Sequence, residues 1–275
     1  SPSPHIHSGA SVRQIMQTVL MALIPAGMAA IYYYSWNAVR LTAVCVAVCV
    51  AAEFLTRKLM KRDRGIDDLS AVVTGVLLAF SLPPDLPAWM AAVGALCAIV
   101  VAKQLFGGLG RNLFNPALVG RVVLVLAFPV AMSSWIAPGQ PGGMAITTAT
   151  PLTEWKTAWA AGVAPLGFFE HYTVKDLFLG HRGGCIGETC GLALLIGGIF
   201  LIAKRCIHWH IPIAFIGTVV IFSAVLYRLD AARNLPPLYH VLTGGLILGA
   251  FFMATDMVTT PMTKRDMFLF GIGCG

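Results

Sequence analysis

The sequence predicts an all-α polytopic membrane protein, an inverted five-plus-five helix repeat with broken or re-entrant helices and the last two spans incomplete. Three observations predict it. Of 275 residues, 57% are hydrophobic and only 11% charged, against about 25% charged in a soluble domain. The apolar residues fall in runs, many near the roughly 20 needed to cross a bilayer. Finally, Thr74-Gly75-Val76-Leu77 in the third run recurs as Thr243-Gly244-Gly245-Leu246 in the eighth. With an odd number of spans per repeat, the second copy runs opposite to the first.

The elements follow in order. Residues 15–34 make the first span and end in Tyr32-Tyr33-Tyr34 and Trp36, aromatics expected at an interface. Residues 41–55 make the second and leave through a basic cluster at 57–64; Glu53, near that end, reads as a carboxylate reaching the interface or pairing with Arg57 or Lys58. The third run, 69–82, is too short to cross comfortably and stops at Pro83-Pro84. It reads as a broken or re-entrant helix whose freed backbone is buried or faces a cavity. Residues 89–105 are the fourth span and 118–135 the fifth. Between them, Gly107-Gly108-Leu109-Gly110 suits tight turns and close approach of backbone to a planar ligand, and Asn115 caps the helix that starts at Pro116. The second half repeats the plan with 184–203, 211–227, 238–257 and a short stretch at 267–275. The chain thus divides into a first membrane repeat (1–135), a loop (136–183) and a second repeat (184–275).

Charge orients the spans. With the amino terminus inside, Arg13, the basic clusters at 57–64, 204–205 and 264–265, and Lys103, Arg111 and Arg121 are cytoplasmic. Only Arg40, Lys156, Lys175, Arg182, Arg228 and Arg233 of the 19 basic residues lie outside. This distribution accounts for the net charge of +7 without nucleic acid, and puts the loop on the outer face. The seven cysteines include no Cys-x-x-Cys pair and sit mostly in apolar runs, so no protein-held metal is expected. The seven histidines fall at span ends or in loops, which excludes haem held by paired ligands within spans. A channel or transporter for a small polar solute is the other class that inverted five-span repeats suit.

The loop carries Ile146-Thr147-Thr148-Ala149-Thr150-Pro151-Leu152. By itself Thr150 reads as a helix N-cap, with Pro151 first in the helix and Glu154 an acid in the first turn. A phosphate esterified to the same hydroxyl is compatible, because it would meet free amides and the positive end of the helix dipole.

This stretch resembles the flavin-attachment motif of the RnfD family, roughly Asp-x-x-Ser/Thr-x-Ala-Thr-Pro-Leu, and is similar to that of the related NqrB family. The strings Ser81-Leu82-Pro83-Pro84-Asp85-Leu86-Pro87-Ala88-Trp89 and Phe106 to Ala117 match RnfD as well. The resemblance implies FMN joined through its phosphate to Thr150, with Thr147, Thr148 and Ala149 completing the motif. The acid usual at its first position is Met144 here. Gly107, Gly108 and Asn115 are candidate cofactor contacts, and NqrB adds a second, non-covalent flavin (riboflavin). The family implies a complex of the bacterial inner membrane that moves electrons between ferredoxin and NAD while pumping sodium ions or protons. Its other members are membrane iron–sulfur subunits, a second covalent-FMN subunit and soluble subunits facing NADH and ferredoxin; an exported flavin transferase loads the threonine. Asp256, matched by an acid in NqrB-like chains, and Glu188 are assigned to ion coupling. A structural role for Asp256, capping the Thr259-Thr260-Pro261 turn or pairing with Lys264 or Arg265, stands beside that. RnfD-like chains continue with a Gly-Tyr-Pro-Glu-Gly segment and two closing spans, so the second repeat reads as incomplete at Gly275.

Overall fold

The computed structural model describes residues 11–61, 68–136, 147–148, 150–162, 168–231 and 233–275. Helix α1 (Val12–Leu59) opens with a capping box, in which Ser11 Oγ accepts from the Gln14 amide and the Gln14 side chain accepts from the Ser11 amide. Its 48 residues contain one non-helical position, Ser35 at φ 48° and ψ −125°. That residue is a reversal. Ile15 and Met16 line a cavity together with Ser70 and Lys103, and Lys103 also bonds Glu53. A straight helix would hold residues 16 and 53 about 55 Å apart at 1.5 Å per residue. The two halves are therefore a tight hairpin. The left-handed serine that makes it costs about 1–3 kcal/mol of backbone strain.

Helix α2 (Ser70–Phe80) packs against both halves of α1. It stops at Ser81, and residues 81–84 are buried without being helical. The backbone freed there finds partners across the chain: the Ile186 amide donates to Leu82 O at 3.0 Å and the Gly187 amide to Phe80 O at 2.9 Å. Buried backbone has to be paired in this way where no water reaches it. The expected broken helix is therefore present, and its broken end is sealed by the second half.

Helix α3 (Ala88–Leu96) runs into a π-helical stretch, Cys97–Gln104. Asn115 caps α4 (Pro116–Ala127) by accepting from the Ala117 amide at 3.0 Å. The expected fifth span ends early. Phe128 precedes Pro129 and leaves helical geometry at φ −134°, as residues before proline tend to do, and only α5 (Pro129–Met132) follows. Strands β1 (Trp135–Ile136) and β2 (Thr147–Thr148) then pair antiparallel, Trp135 opposite Thr148. Helices α6 (Pro151–Ala160), α7 (Phe168–His171) and α8 (Val174–Leu179) form a small layer at that end.

The span expected at 184–203 starts late: α9 (Gly191–Ala203) begins only after the buried, non-helical stretch whose amides cap α2. Helix α10 (His210–Leu229) matches its expectation. The run 238–257 is broken into α11 (Pro237–Leu242), α12 (Leu246–Leu248) and a π-helical turn at Gly249–Met253. Helix α13 (Lys264–Cys274) closes the chain, capped by Thr263. Among the described residues α1 and α10 are long and apolar enough to cross a membrane, and α2, α3 with its π stretch, α4 and α9 are shorter apolar helices.

Of the basic residues assigned above to the cytoplasmic side, one is buried and another is half-buried and turned inward. Lys103 is 1% exposed, and Arg121 reaches inward to a buried glutamate. Arg182, assigned to the outer surface, is also buried. Buried acceptors draw them in: the Glu53 carboxylate for Lys103, the Glu188 carboxylate for Arg121 and the Glu188 backbone carbonyl for Arg182.

Candidate functional site

Thr150 stands at the start of α6, partly exposed. Its Oγ1 accepts from the Thr153 amide at 3.3 Å and lies 2.8 Å from the Thr153 hydroxyl. Pro151 has no N–H to offer and the Glu154 amide donates to Thr150 O at 2.9 Å, so the hydroxyl engages the first turn through the Thr153 amide. The N-cap reading of Thr150 holds in full. Two residues ahead of the hydroxyl, β2 pairs Thr147 and Thr148 with β1. Ala149 and Met144 lie outside the described residues, as do the side chains of Thr147 and Thr148.

An aromatic cluster holds α6 in place. Trp155 is 9% exposed, donates from Nε1 to Arg233 O at 2.8 Å, and packs edge-on against Phe168 with centroids 5.0 Å apart. Tyr172 donates to Glu154 Oε2 at 2.7 Å, and Tyr239 on α11 donates to Tyr172 O at 3.1 Å. Burial raises the pKa of the Tyr172 phenol and the Glu154 carboxylate raises it further, so this bond keeps its proton throughout the physiological range. Trp155→Ala should remove packing worth about 3–5 kcal/mol and free α6. Limited proteolysis should then cut between residues 150 and 180 while the α1–α4 core stays protected.

A second polar region lies at the opposite end of α2. Glu53 is fully buried. Lys103 Nζ sits 2.8 Å from Glu53 Oε2, Arg57 Nη2 2.9 Å from Oε1, and Gln104 Nε2 donates to Oε1 at 3.0 Å. The π-helical geometry has a use here. Its i→i+5 winding turns the consecutive residues Lys103 and Gln104 toward the same carboxylate. The sequence places Glu53 at the interface or with Arg57. The Arg57 pair is present, but the carboxylate is enclosed, and Lys103 is a partner that the sequence alone does not reveal. The available signal is two opposite charges lodged in neighbouring apolar runs.

Lys103 and Ser70 also border a cavity of about 80 Å³, whose polar wall includes Thr74, Asn112, Asn115 and Asp256. Asn112 Nδ2 lies 3.5 Å from Asp256 Oδ2, and Asn115 Nδ2 donates to Met253 O at 3.2 Å. Asp256 therefore divides its roles. Its carbonyl accepts from Thr259 and Thr260 in the following turn, its carboxylate faces the cavity, and no ion pair joins it to Lys264 or Arg265 among the described residues. Gly107 and Gly108 adopt φ 119° and 96° in the turn ahead of Asn112, conformations that favour glycine. Pockets enclosing a drug-sized ligand measure about 300–1,000 Å³, so in this conformation the cavity does not fit a flavin ring. Thr74 lines it, whereas Thr243 and Gly244 do not.

Glu188 belongs to a third cluster. It is 5% exposed, its Oε1 is 3.1 Å from Arg121 Nη1, and its carbonyl accepts from Arg182 at 2.8 Å. A Cβ on Gly245 would stand 2.3 Å from Glu188 Oε1, so the glycine at the start of α12 makes room for the carboxylate.

The whole chain, residues 1–275, matches the model of the NQR2, RnfD, RnfE family. It is 45% identical over 277 residues to the D subunit of the Na(+)-translocating ferredoxin:NAD(+) oxidoreductase complex of Acetobacterium woodii, covering 100% of this chain and 82% of that one. It is 40% identical over 275 residues to the D subunit of the proton-translocating ferredoxin:NAD(+) oxidoreductase complex of Clostridium ljungdahlii, covering 100% and 83%. The D subunit of the ion-translocating oxidoreductase complex of Stutzerimonas stutzeri is 39% identical over 287 residues, covering 96% and 81%. By both the family model and these relatives, the chain belongs to the NQR2, RnfD, RnfE family.

Proposed function

We propose that this chain is the membrane flavoprotein subunit of an ion-translocating ferredoxin:NAD oxidoreductase complex, with FMN esterified through its phosphate to Thr150 Oγ1. The observation that carries the flavin assignment is the position of that hydroxyl, partly exposed at the N-terminus of a ten-residue helix. The residues fit the group. A phosphate there meets the positive dipole end of α6 and can take over the Thr153 amide that Oγ1 now accepts, and Pro151 fixes the first turn. FMN, when bound, supplies one-electron chemistry that no side chain of this protein offers. The protein's own part is to hold the attachment point still, through β1–β2 on one side and the Trp155 cluster on the other.

The finer architecture belongs to the same reading. Inverted repeats are supported by a broken helix in each half, and by Thr74 and Thr243 each donating its hydroxyl to the carbonyl four residues earlier. The excess of basic residues near the Glu53 end supports a cytoplasmic placement of that end in the bacterial inner membrane, with the Thr150 layer periplasmic. There an exported transferase reaches the threonine. Partner subunits of the Rnf type, membrane iron–sulfur and soluble, deliver and remove electrons. Mass spectrometry of the tryptic peptide containing Thr150 tests the assignment: it should carry the mass of FMN, and an unmodified peptide from assembled complex would overturn it.

For ion coupling, the carboxylate of Asp256 is favoured over Glu188, because Arg121 already compensates Glu188. Asp256→Asn keeps size and hydrogen bonding but removes charge. Electron transfer should persist in the assembled complex while ion uptake per electron falls several-fold; undiminished uptake would leave Asp256 a structural residue only.

A further inference from the structure

The Glu53–Lys103 pair is more than a buried salt bridge. The Lys103 ammonium is held by Glu53 Oε2 at 2.8 Å and by Ser70 Oγ at 2.6 Å. It is 1% exposed, yet it borders the cavity that Asp256 lines from another side. Two oxygens at such distances are what a partly dehydrated monovalent cation would find there. Outside this pair, Asp68 accepts from the Ser70 amide and hydroxyl at 2.9 and 2.6 Å and lies 3.4 Å from Arg57. Burial alone would raise the pKa of Asp68. The two Ser70 bonds, with Lys103 and Arg57, outweigh burial and hold it below its ordinary value. The region therefore contains two carboxylates and two cations, with a third carboxylate, Asp256, on the wall of the same cavity.

We infer that Lys103 is a tethered stand-in for the transported monovalent cation, filling an oxygen-lined site on Glu53 and Ser70 and leaving it toward Asp256 when a sodium ion or proton enters. The inference rests on the reading that the chain serves an ion-translocating complex. The exchange balances in charge. Before it, Glu53 holds the ammonium on Oε2 beside Arg57 on Oε1, and Asp256 has the Asn112 amide but no ion pair among the described residues. After it, the incoming ion takes the ammonium's place on Glu53 Oε2, Arg57 stays on Oε1, and the ammonium pairs with Asp256. No bond is made or broken beyond the ionic contacts and, when the ion is a proton, the O–H formed on Glu53. The lysine stem suits the motion, being flexible and ending in a compact charge. The cavity supplies the room, since about 80 Å³ holds several waters.

The test uses the assembled complex in inverted membrane vesicles. Electron transfer and ion uptake are measured against sodium concentration at fixed pH and against pH at fixed sodium, which separates the two ions. Lys103→Arg keeps a cation that is larger and never deprotonated, and it should raise the half-saturating concentration of the transported ion at least tenfold. In the double variant Lys103→Met with Glu53→Gln, which leaves the net charge unchanged, ion uptake per electron transferred should fall at least tenfold. The inference is overturned if either assembled variant keeps wild-type ion dependence and ion-to-electron ratio. It is equally overturned if neither variant assembles, because the pair is then structural. Covalent flavin on Thr150, read by in-gel fluorescence in the same samples, reports separately on the function proposed above.

Discussion

Thr150→Asn should abolish the covalent flavin while leaving α6 folded. Asparagine is among the best N-caps, so it can still accept from the Thr153 amide, as Thr150 Oγ1 does at 3.3 Å. It has no hydroxyl to esterify. Thr150→Val removes both functions and adds a capping loss of about 0.5–2 kcal/mol, which the Trp155 anchor is well able to absorb. Both variants should therefore drop in-gel flavin fluorescence to background, and ferredoxin-dependent reduction of NAD by the assembled complex should fall with it. Thr147→Val and Thr148→Val should keep the label, because the pairing of β2 with β1 is made by backbone. Full fluorescence in Thr150→Asn would place the attachment elsewhere. Circular dichroism and assembly of the two Thr150 variants distinguish lost chemistry from a lost helix start.

The parts of this molecule that sequence made legible are those governed by local chemistry. The N-cap at Thr150, the cap at Asn115 and the break after Phe80 each rest on a residue and its next few neighbours, and each is where the pattern put it. The flavin is an expectation that only the family motif supplies, since no local rule gives it. What stayed hidden depends on residues distant in sequence. Glu53 and Lys103 are 50 positions apart, and Arg121 and Glu188 are 67. Each looked like a charge at a span end because its partner lay in another span. Span boundaries failed for a related reason. The stretch 184–190 is apolar enough to read as helix, yet its Ile186 and Gly187 amides close the end of α2 instead.

The two Thr-Gly pairs, alike in sequence, should respond very differently to substitution. Gly75 lies inside α2 where it crosses the second half of α1, and a Cβ there would stand 2.7 Å from Val46 Cα and 2.9 Å from Val46 N. Those are backbone atoms in the middle of a helix, so they cannot turn aside as a side-chain end could. Relief requires the two helices to move apart. Overpacking of a dense core costs about 1–3 kcal/mol for a few methylenes, and Gly75→Leu adds four heavy atoms at a backbone contact. Ser70, one turn away on α2, would be carried off Lys103, whose ammonium it now binds at 2.6 Å. Gly75→Leu should thus prevent assembly or abolish ion uptake, and Gly75→Ala should lower the melting temperature of the complex measurably. Gly244 has φ 84° and nothing within 4 Å of where a Cβ would stand. Gly244→Ala should cost only the strain of a left-handed residue, about 1–2 kcal/mol, with electron transfer retained. Comparing yield and activity of the two alanine variants decides the matter: equal tolerance at both glycines would mean that α2 does not cross α1 as closely as the structure places it.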